Sequence, residues 1–344
     1  MATIIGQTSG SPLIGSPINF QVNAGSYNNP TFHRVKMRVM AGMQNGSYIP
    51  IESSSPANEG EQLSFDISDA LRAVADSYVY TPTPPEYYPY IQYYLIAWDE
   101  YMINGVTYES EKDYFPDSYN VNPLRALMGA YSDMERLLAG ENKQTRKFTR
   151  KPSTSPEIVY VGDTYIRPTE MVAHSGNIDR GQQSVCYPIT TTGLQTHGGA
   201  QVYALPRPAK DIYAFRFING LGAMESVTLR TLRKTDIPVT TERLTFARQE
   251  TFGTFSRTAA VKQNDYEKWH LTTGPVDEAW QSWFIHEFLK AEAVWIDIDG
   301  HWIPVDIIPD ESVTGISREN SSMLEVEIPI QFGISGSVMS ELAV

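Results

Sequence analysis

The side chains that could carry acid–base, metal or nucleophilic chemistry are dispersed along this chain. Its six histidines are His33, His174, His197, His270, His286 and His301. None has a ligand partner at helical i, i+4 spacing beside a Glu, as a zinc site of that kind would require. Asp297 and Asp299 precede Gly300, but a calcium loop of the EF-hand type carries its glycine at the sixth position from the first Asp, and here it falls at the fourth. Asp297, Asp306, Asp310 and Glu311 could supply paired carboxylates for glycoside hydrolysis, a pattern any acidic chain offers. Gly220 and Gly222 lack the third glycine and the following helix of a dinucleotide fingerprint, and read as a turn between two strands. Neither a G-x-S-x-G elbow nor a phosphate loop is found in the sequence. The lone cysteine, Cys186, excludes an intrachain disulfide and has no His motif beside it; a small half-buried side chain is expected there. These residues predict a non-enzymatic protein without cofactor or metal.

Residues suited to recognition are more concentrated. Eight of the 20 tyrosines lie between residues 76 and 101. Tyr87, Tyr88 and Tyr90 follow TPTPPE, a stretch suited to a polyproline-like loop. Three readings stay open for them: ordinary strand faces beside a Pro-rich loop, a protein–protein surface, or a site for a host-surface glycan. NKQTRKFTRKPSTSP is basic in an otherwise acidic chain. Arg146, Lys147, Arg150 and Lys151 make it either a solvated linker or a segment docking on the acidic face of a neighbouring copy.

The strongest element signals lie between Gly274 and Phe332. Val276, Ala279, Trp280, Trp283, Phe284, Phe288 and Ala291 recur at helical spacing and predict an amphipathic helix over 275–291, its stripe packed as core. Pro275 suits the first helical position. A hairpin follows, turning at Asp299-Gly300, where both central residues need positive φ. Pro304 cannot donate a ladder hydrogen bond and is expected at an edge or beside a bulge. On that hairpin Trp295 and Trp302 are diagonal neighbours on one face, and with Pro304 they form a candidate subunit interface. Leu324, Val326, Ile328, Ile330 and Phe332 alternate as a closing strand with one buried face.

Across the 344 residues, Tyr, Thr, Ile and Val together with 24 Gly and 22 Pro favour strands and turns. The fold class expected is mainly β with a minor helical part. It comprises a flexible N-terminal arm (1–16), an immunoglobulin- or fibronectin-like β-sandwich (17–116), a helical and basic linker (117–155) and a β-rich domain with one packed helix (156–344). Within the sandwich, Ile18, Phe20 and Val22 form one strand face and Val35, Met37 and Val39 another. Asn104-Gly105 marks a hairpin, and Ser68 is the expected N-cap of a short helix. The net charge of −13 disfavours binding to a phosphate backbone. Neither a signal peptide nor a run of about 18 apolar residues is seen, so no membrane insertion is expected.

Three stretches resemble a family of tail-associated structural proteins of phages and prophages of gut bacteria: IYAFRFINGLGAMESVTL, AWQSWFIHEFLKAEAVWIDIDGHWIPVDIIPDE and MLEVEIPIQF. SPINFQV and LSFDISDALRAV are similar to the opening strand and helix start of the same proteins. The resemblance implies a non-enzymatic virion component assembled in the bacterial host cytoplasm. Its implied partners are further copies of itself, in a homo-oligomer or ring, and other virion proteins. A carbohydrate-binding or adhesin module is the alternative.

Overall fold

The computed structural model describes residues 1–10, 13–43, 46–84, 89–117, 119, 123–130, 145–146, 149–153, 155–168, 171–172, 184–236, 239–250, 253–264, 266–308 and 325–335. The chain is mainly β, built from several antiparallel sheets, with two short helices among the described residues. Its contacts divide it into two units. The first comprises Met1–Thr149, Ile166–Cys186 and Ile218–Glu225; the second comprises Arg150–Tyr165, Tyr187–Phe217 and Ser226–Val344.

In the first unit, β1 (Thr3–Gly10), β2 (Ile18–Asn23) and β5 (Gln62–Asp66) form one sheet in the order β1-β2-β5. The other sheet runs β4-β3-β6-β7, from β3 (Phe32–Met43), β4 (Ile49–Pro56), β6 (Tyr90–Ile103) and β7 (Val106–Glu109), with β8 (Asp113–Phe115) and β9 (Leu124–Leu127) also paired to β6. Strict alternation decides the packing, because successive strand side chains point to opposite faces. Ile18, Phe20 and Val22 from one sheet share a core with Val35, Met37, Val39, Tyr93, Leu95 and Ala97 from the other, and Leu71 and Val74 of α1 (Ser68–Ala75) close it. The Asn104-Gly105 turn has the predicted positive φ at both residues.

Three expectations need correction here. Residues 1–16 are not an arm: β1 pairs antiparallel with β2, and Ala2, Ile4, Leu13 and Ile14 are buried. Residues 124–127, read as helical, instead form β9 against Tyr90–Tyr93, because Leu124 and Ala126 complete the core beside β6. Ser68 does not cap α1 through its side chain; Asp66 Oδ1 accepts from the Ser68 and Ile18 backbone N–H groups instead.

Further along lie β10 (Thr145–Arg146), paired with β13 (Met171–Val172), and β12 (Thr164–Pro168), paired with β14 (Ser184–Pro188). In the second unit, β11 (Glu157–Tyr160), β15 (Gly193–His197) and β16 (Ala200–Leu205) form a three-stranded sheet, β11-β16-β15. A seven-stranded sheet runs β18-β17-β23-β24-β25-β22-β19, from β17 (Ile212–Ile218), β18 (Met224–Arg230), β19 (Lys234–Asp236), β22 (Tyr266–Thr272), β23 (Ala293–Ile298), β24 (His301–Ile307) and β25 (Glu327–Ser335). A separate two-stranded ribbon pairs β20 (Val239–Glu250) with β21 (Gly253–Asn264).

The aromatic helix packs on the seven-stranded sheet, with Trp280, Trp283, Phe284 and Phe288 in one core with Phe215, Phe217, Ile296 and Phe332. It is shorter than 275–291 and changes pitch. α2 (Glu278–Trp283), capped by Asp277 Oδ1 on the Trp280 N–H at 2.9 Å, continues as a π turn over Phe284–Phe288, where Leu289 N–H donates to Phe284 O. The wider turn shifts the phase of the stripe. Leu289 is buried beyond that turn, and Glu287 within it; in the regular turn before it Ala279 faces solvent and Gln281 is buried.

Gly220 and Gly222 belong to a tight turn. Asn219 Oδ1 accepts from the Leu221 and Ala223 N–H groups, and Gly222 has φ +80°. A Cβ on Gly222 would stand 2.2 Å from Met128 O, and one on Gly129, with φ +102°, 2.2 Å from Leu221 C. Backbone lies against backbone at this crossing, so no side chain can yield. Gly129→Ala should lower unfolding free energy by roughly 3 kcal/mol or more, combining overpacking with an unfavourable φ. Gly105→Ala, whose Cβ meets nothing within 4 Å, should cost only about 1–2 kcal/mol. Chemical denaturation of the two variants checks the contrast.

Candidate functional site

The outward face of the β4-β3-β6-β7 sheet gathers the richest set of side chains. Unshifted pairing of β3 with β6 sets Arg34 opposite Glu100, Lys36 opposite Trp98, Arg38 opposite Ile96 and Met40 opposite Tyr94. On the flanks, Glu52 of β4 faces Arg38 and Tyr114 of β8 faces Ile96. All of these occupy the face opposite Val35, Met37, Leu95 and Ala97.

Trp98 is the centre of a charged band. Arg38 and Lys112 each lie 5.3 Å from its ring centroid and Lys36 lies 5.9 Å away, so cations cover the indole, leaving it 3 % exposed. Arg34 forks onto Glu100 at 2.8–3.2 Å, Lys36 pairs with Glu100 and, at 3.6 Å, with Glu109, and Arg38 pairs with Glu52. Hydrogen bonds from Lys36, then Arg34, hold the Glu100 carboxyl below its ordinary range. The Trp98 Nε1–H is buried and has no acceptor among the described residues. A buried donor left without a partner costs about 1–3 kcal/mol.

A tyrosine band adjoins it. Tyr119 stacks on Tyr94 at 4.5 Å and on Tyr114 at 5.1 Å, with interplanar angles of 27° and 14°, while Tyr48 meets Tyr94 edge-on at 5.2 Å. Burial raises the Tyr94 phenol above its ordinary value, with smaller contributions from Tyr119, Tyr48 and Tyr114; burial raises Tyr48 as well. All four are half-buried, and none of their hydroxyls has a hydrogen-bond partner among the described residues.

Beneath this face, Asp99 points inward. Its carboxylate accepts from Tyr27 OH at 2.7 Å and from Gly25 N–H at 3.2 Å, and lies 2.8 Å from His33 Nε2. Burial, then the bond to Asp99, pushes the Tyr27 phenol up. Hydroxyl, amide and imidazole all hold the buried carboxylate, so this cluster fixes the sheet.

The second unit carries a simpler candidate. On the three-stranded sheet, Ile158, Tyr203 and Leu194 stand in one register row and are 53 %, 45 % and 58 % exposed, while Val159, Val202 and Ala204 fill the core behind. Three apolar side chains in one exposed row suit a protein contact.

The residues singled out from sequence fall elsewhere. Tyr90 is buried with Leu13, Leu127, Leu221 and Ala223, so it presents no surface; Tyr87 and Tyr88 lie outside the described residues. Trp295 is buried and Trp302 is half-buried with the Arg216 guanidinium 4.0 Å from its ring, so with exposed Pro304 they form no open contact face. Pro304 sits in an internal strand, but β25 pairing begins one residue later, at Val305↔Phe332, so the proline stands at a local edge. In the basic segment, Lys147 and the Arg146 side chain lie outside what is described. Arg150 reaches Glu287 at 2.5 Å. Lys151 is buried, bonded to Glu157 at 2.8 Å and to the Ser226 carbonyl, and lies over the rings of Tyr165 and Trp283. These two cations are internal ties, so they are not available to dock on a neighbour. Asp297 accepts from Gly300 N–H in its turn, Asp306 is exposed on β24, and Asp310 and Glu311 are not described. Cys186 is exposed, where a half-buried side chain was expected. Among the described residues no group of three His, Cys, Asp or Glu side chains could hold a metal ion. No protein-family model matches the sequence, and no curated protein matches it.

Two outcomes follow. Lys151→Ala strands Glu157 in the interior and should cost roughly 3–5 kcal/mol in denaturant unfolding. Glu100, with its folded pKa depressed, stabilises the fold above its ordinary value of 4.5, and that contribution fades as pH falls through the lower folded value. Glu100→Gln should flatten this acid limb in a stability–pH profile.

Proposed function

We propose that this chain is a non-enzymatic phage virion structural protein, a tail, baseplate or neck component that works through subunit contacts. Its resemblance to tail-associated structural proteins supports that class. The observation that carries the contact is the exposed row Ile158–Tyr203–Leu194, in register across a sheet whose other face is core. Exposed apolar side chains at the centre of a patch are the usual anchors of protein interfaces, whereas charged rims add little. A stable interface buries roughly 1,200 Å² or more in total, so the row is the anchor within a larger contact. The partners proposed are further copies of the chain, closing as a ring, and other virion proteins, with assembly in the bacterial host cytoplasm. A second reading, carbohydrate binding, is favoured by the four partnerless phenols Tyr48, Tyr94, Tyr114 and Tyr119 on the outward face of the β4-β3-β6-β7 sheet, in place of Tyr87, Tyr88 and Tyr90.

Light scattering and electron microscopy of the purified full chain test assembly. The wild type should form oligomers, and Leu194→Glu with Tyr203→Glu should shift it towards monomer while the melting transition stays within a few degrees. A wild type that stays monomeric at high concentration and is absent from purified particles contradicts the proposal.

A further inference from the structure

We propose that the outward face around Trp98 binds an acidic saccharide, its anionic group received at Trp98 and Lys112 and its sugar rings held by Tyr48, Tyr94, Tyr114 and Tyr119. This rests on the carbohydrate reading and is independent of the subunit contact.

The Trp98 indole supplies the first constraint. Its N–H can only donate, and it is buried without an acceptor among the described residues. Whatever completes it must bring a lone pair. Charge supplies the second. Arg34, Lys36, Arg38 and Lys112 face Glu52, Glu100 and Glu109 on this surface. The carboxylates engage Arg34, Lys36 and Arg38. Lys112 is exposed over the indole and has no carboxylate within ion-pair distance among the described residues. A buried donor without an acceptor, beside a surplus cation, selects an oxyanion, because charge-assisted hydrogen bonds are the strong ones. The chain carries a net −13, so this positive spot is local and reads as a built feature. The three carboxylates around it repel a dense polyanion and leave room for one anionic group.

The tyrosines define the rest of the ligand. Same-face positions on a strand are about 7 Å apart. Ile96, with Tyr114 opposite it, is thus one such step from Trp98, and Tyr94 is two. Four phenols with apolar bodies and unengaged hydroxyls match the alternating C–H and O–H surface of a sugar. A neutral sugar could accept from the Trp98 N–H through a hydroxyl but would leave the Lys112 charge without a counter-ion. A bare inorganic anion would leave the tyrosines unused.

Calorimetric titration of the full-length protein with a galactose oligomer carrying a single terminal uronate, a monosulfated galactose oligomer, a neutral galactose oligomer, inorganic sulfate and a short polyglutamate peptide is the test. At least one acidic saccharide should bind, and both the neutral oligomer and sulfate should bind at least about tenfold more weakly, as expected for loss of one charge-assisted hydrogen bond or of the ring contacts. Trp98→Phe keeps an aromatic ring and removes the N–H, and Lys112→Ala removes the surplus cation; each should weaken the acidic saccharide about tenfold. The melting transition of both variants confirms folding. Leu194→Glu should bind as the wild type does, so loss of assembly and loss of binding are told apart. No binding of either acidic saccharide, binding by Trp98→Phe and Lys112→Ala equal to wild type, or an equal response to polyglutamate would overturn the proposal.

Discussion

The pairing of β3 with β6 is the constraint on which the first unit rests. It runs from Phe32↔Met102 to Met43↔Ile91 without a register shift. Side chains alternate with a period of two, so a slip by one residue would exchange every inward position for an outward one. Asp99 opposes the slip. Buried among Tyr27, His33 and the Gly25 N–H, its carboxylate would lose all three partners if it moved to the other face, and the apolar Val35, Met37 and Leu95 would meet water. Its neighbour Trp98 points outward for the same reason, beneath its three cations.

A comparable economy governs the second unit. Four large aromatics on a helix need a broad apolar partner, and the seven-stranded sheet supplies it through Phe215, Phe217, Ile296 and Phe332. The π turn brings Phe284, Phe288 and Leu289 inward together, and Glu287 comes with them. Arg150 meets that carboxylate, while Ser155 accepts from Trp280 Nε1 and donates to Asp277 at the helix start. Arg150, Lys151 and Ser155, which read as part of a basic linker, are therefore internal ties to Glu287, to Glu157 and the Ser226 carbonyl, and to Trp280 and Asp277.

Much of the fold was legible because strand alternation and two-residue turns are local signals. The faces of Ile18–Val22 and Val35–Val39, and the turns at Asn104-Gly105 and Asp299-Gly300, need no distant partner to be read. What was not legible depends on partners far along the chain. Residues 1–16 look unstructured because their glycines and serines are weak formers, yet β2 gives Thr3–Gly10 a ladder. Leu124–Leu127 has helical composition, but the open side of β6 takes it as a strand. Lys151 looks solvated until Glu157 and Trp283 enclose it. The aromatic face was half-visible: Tyr94, Ile96 and Trp98 share one phase of β6. Tyr114, Tyr119 and Lys112 join them only through folding, and the density of tyrosines around TPTPPE drew attention to Tyr90, which is core.

The claim at the centre of this account is that register places Trp98, Tyr94 and Tyr114 outward, where Tyr119 stacks on the two tyrosines, and Tyr93 inward. Hydroxyl-radical footprinting of the native protein, read residue by residue by mass spectrometry, addresses it directly. The account predicts ready oxidation at Tyr94, Tyr114 and Tyr119 with Tyr93 protected until the protein unfolds. Oxidation of Tyr93 with protection of Tyr94 would mean the opposite register, and the outward face described here would not exist.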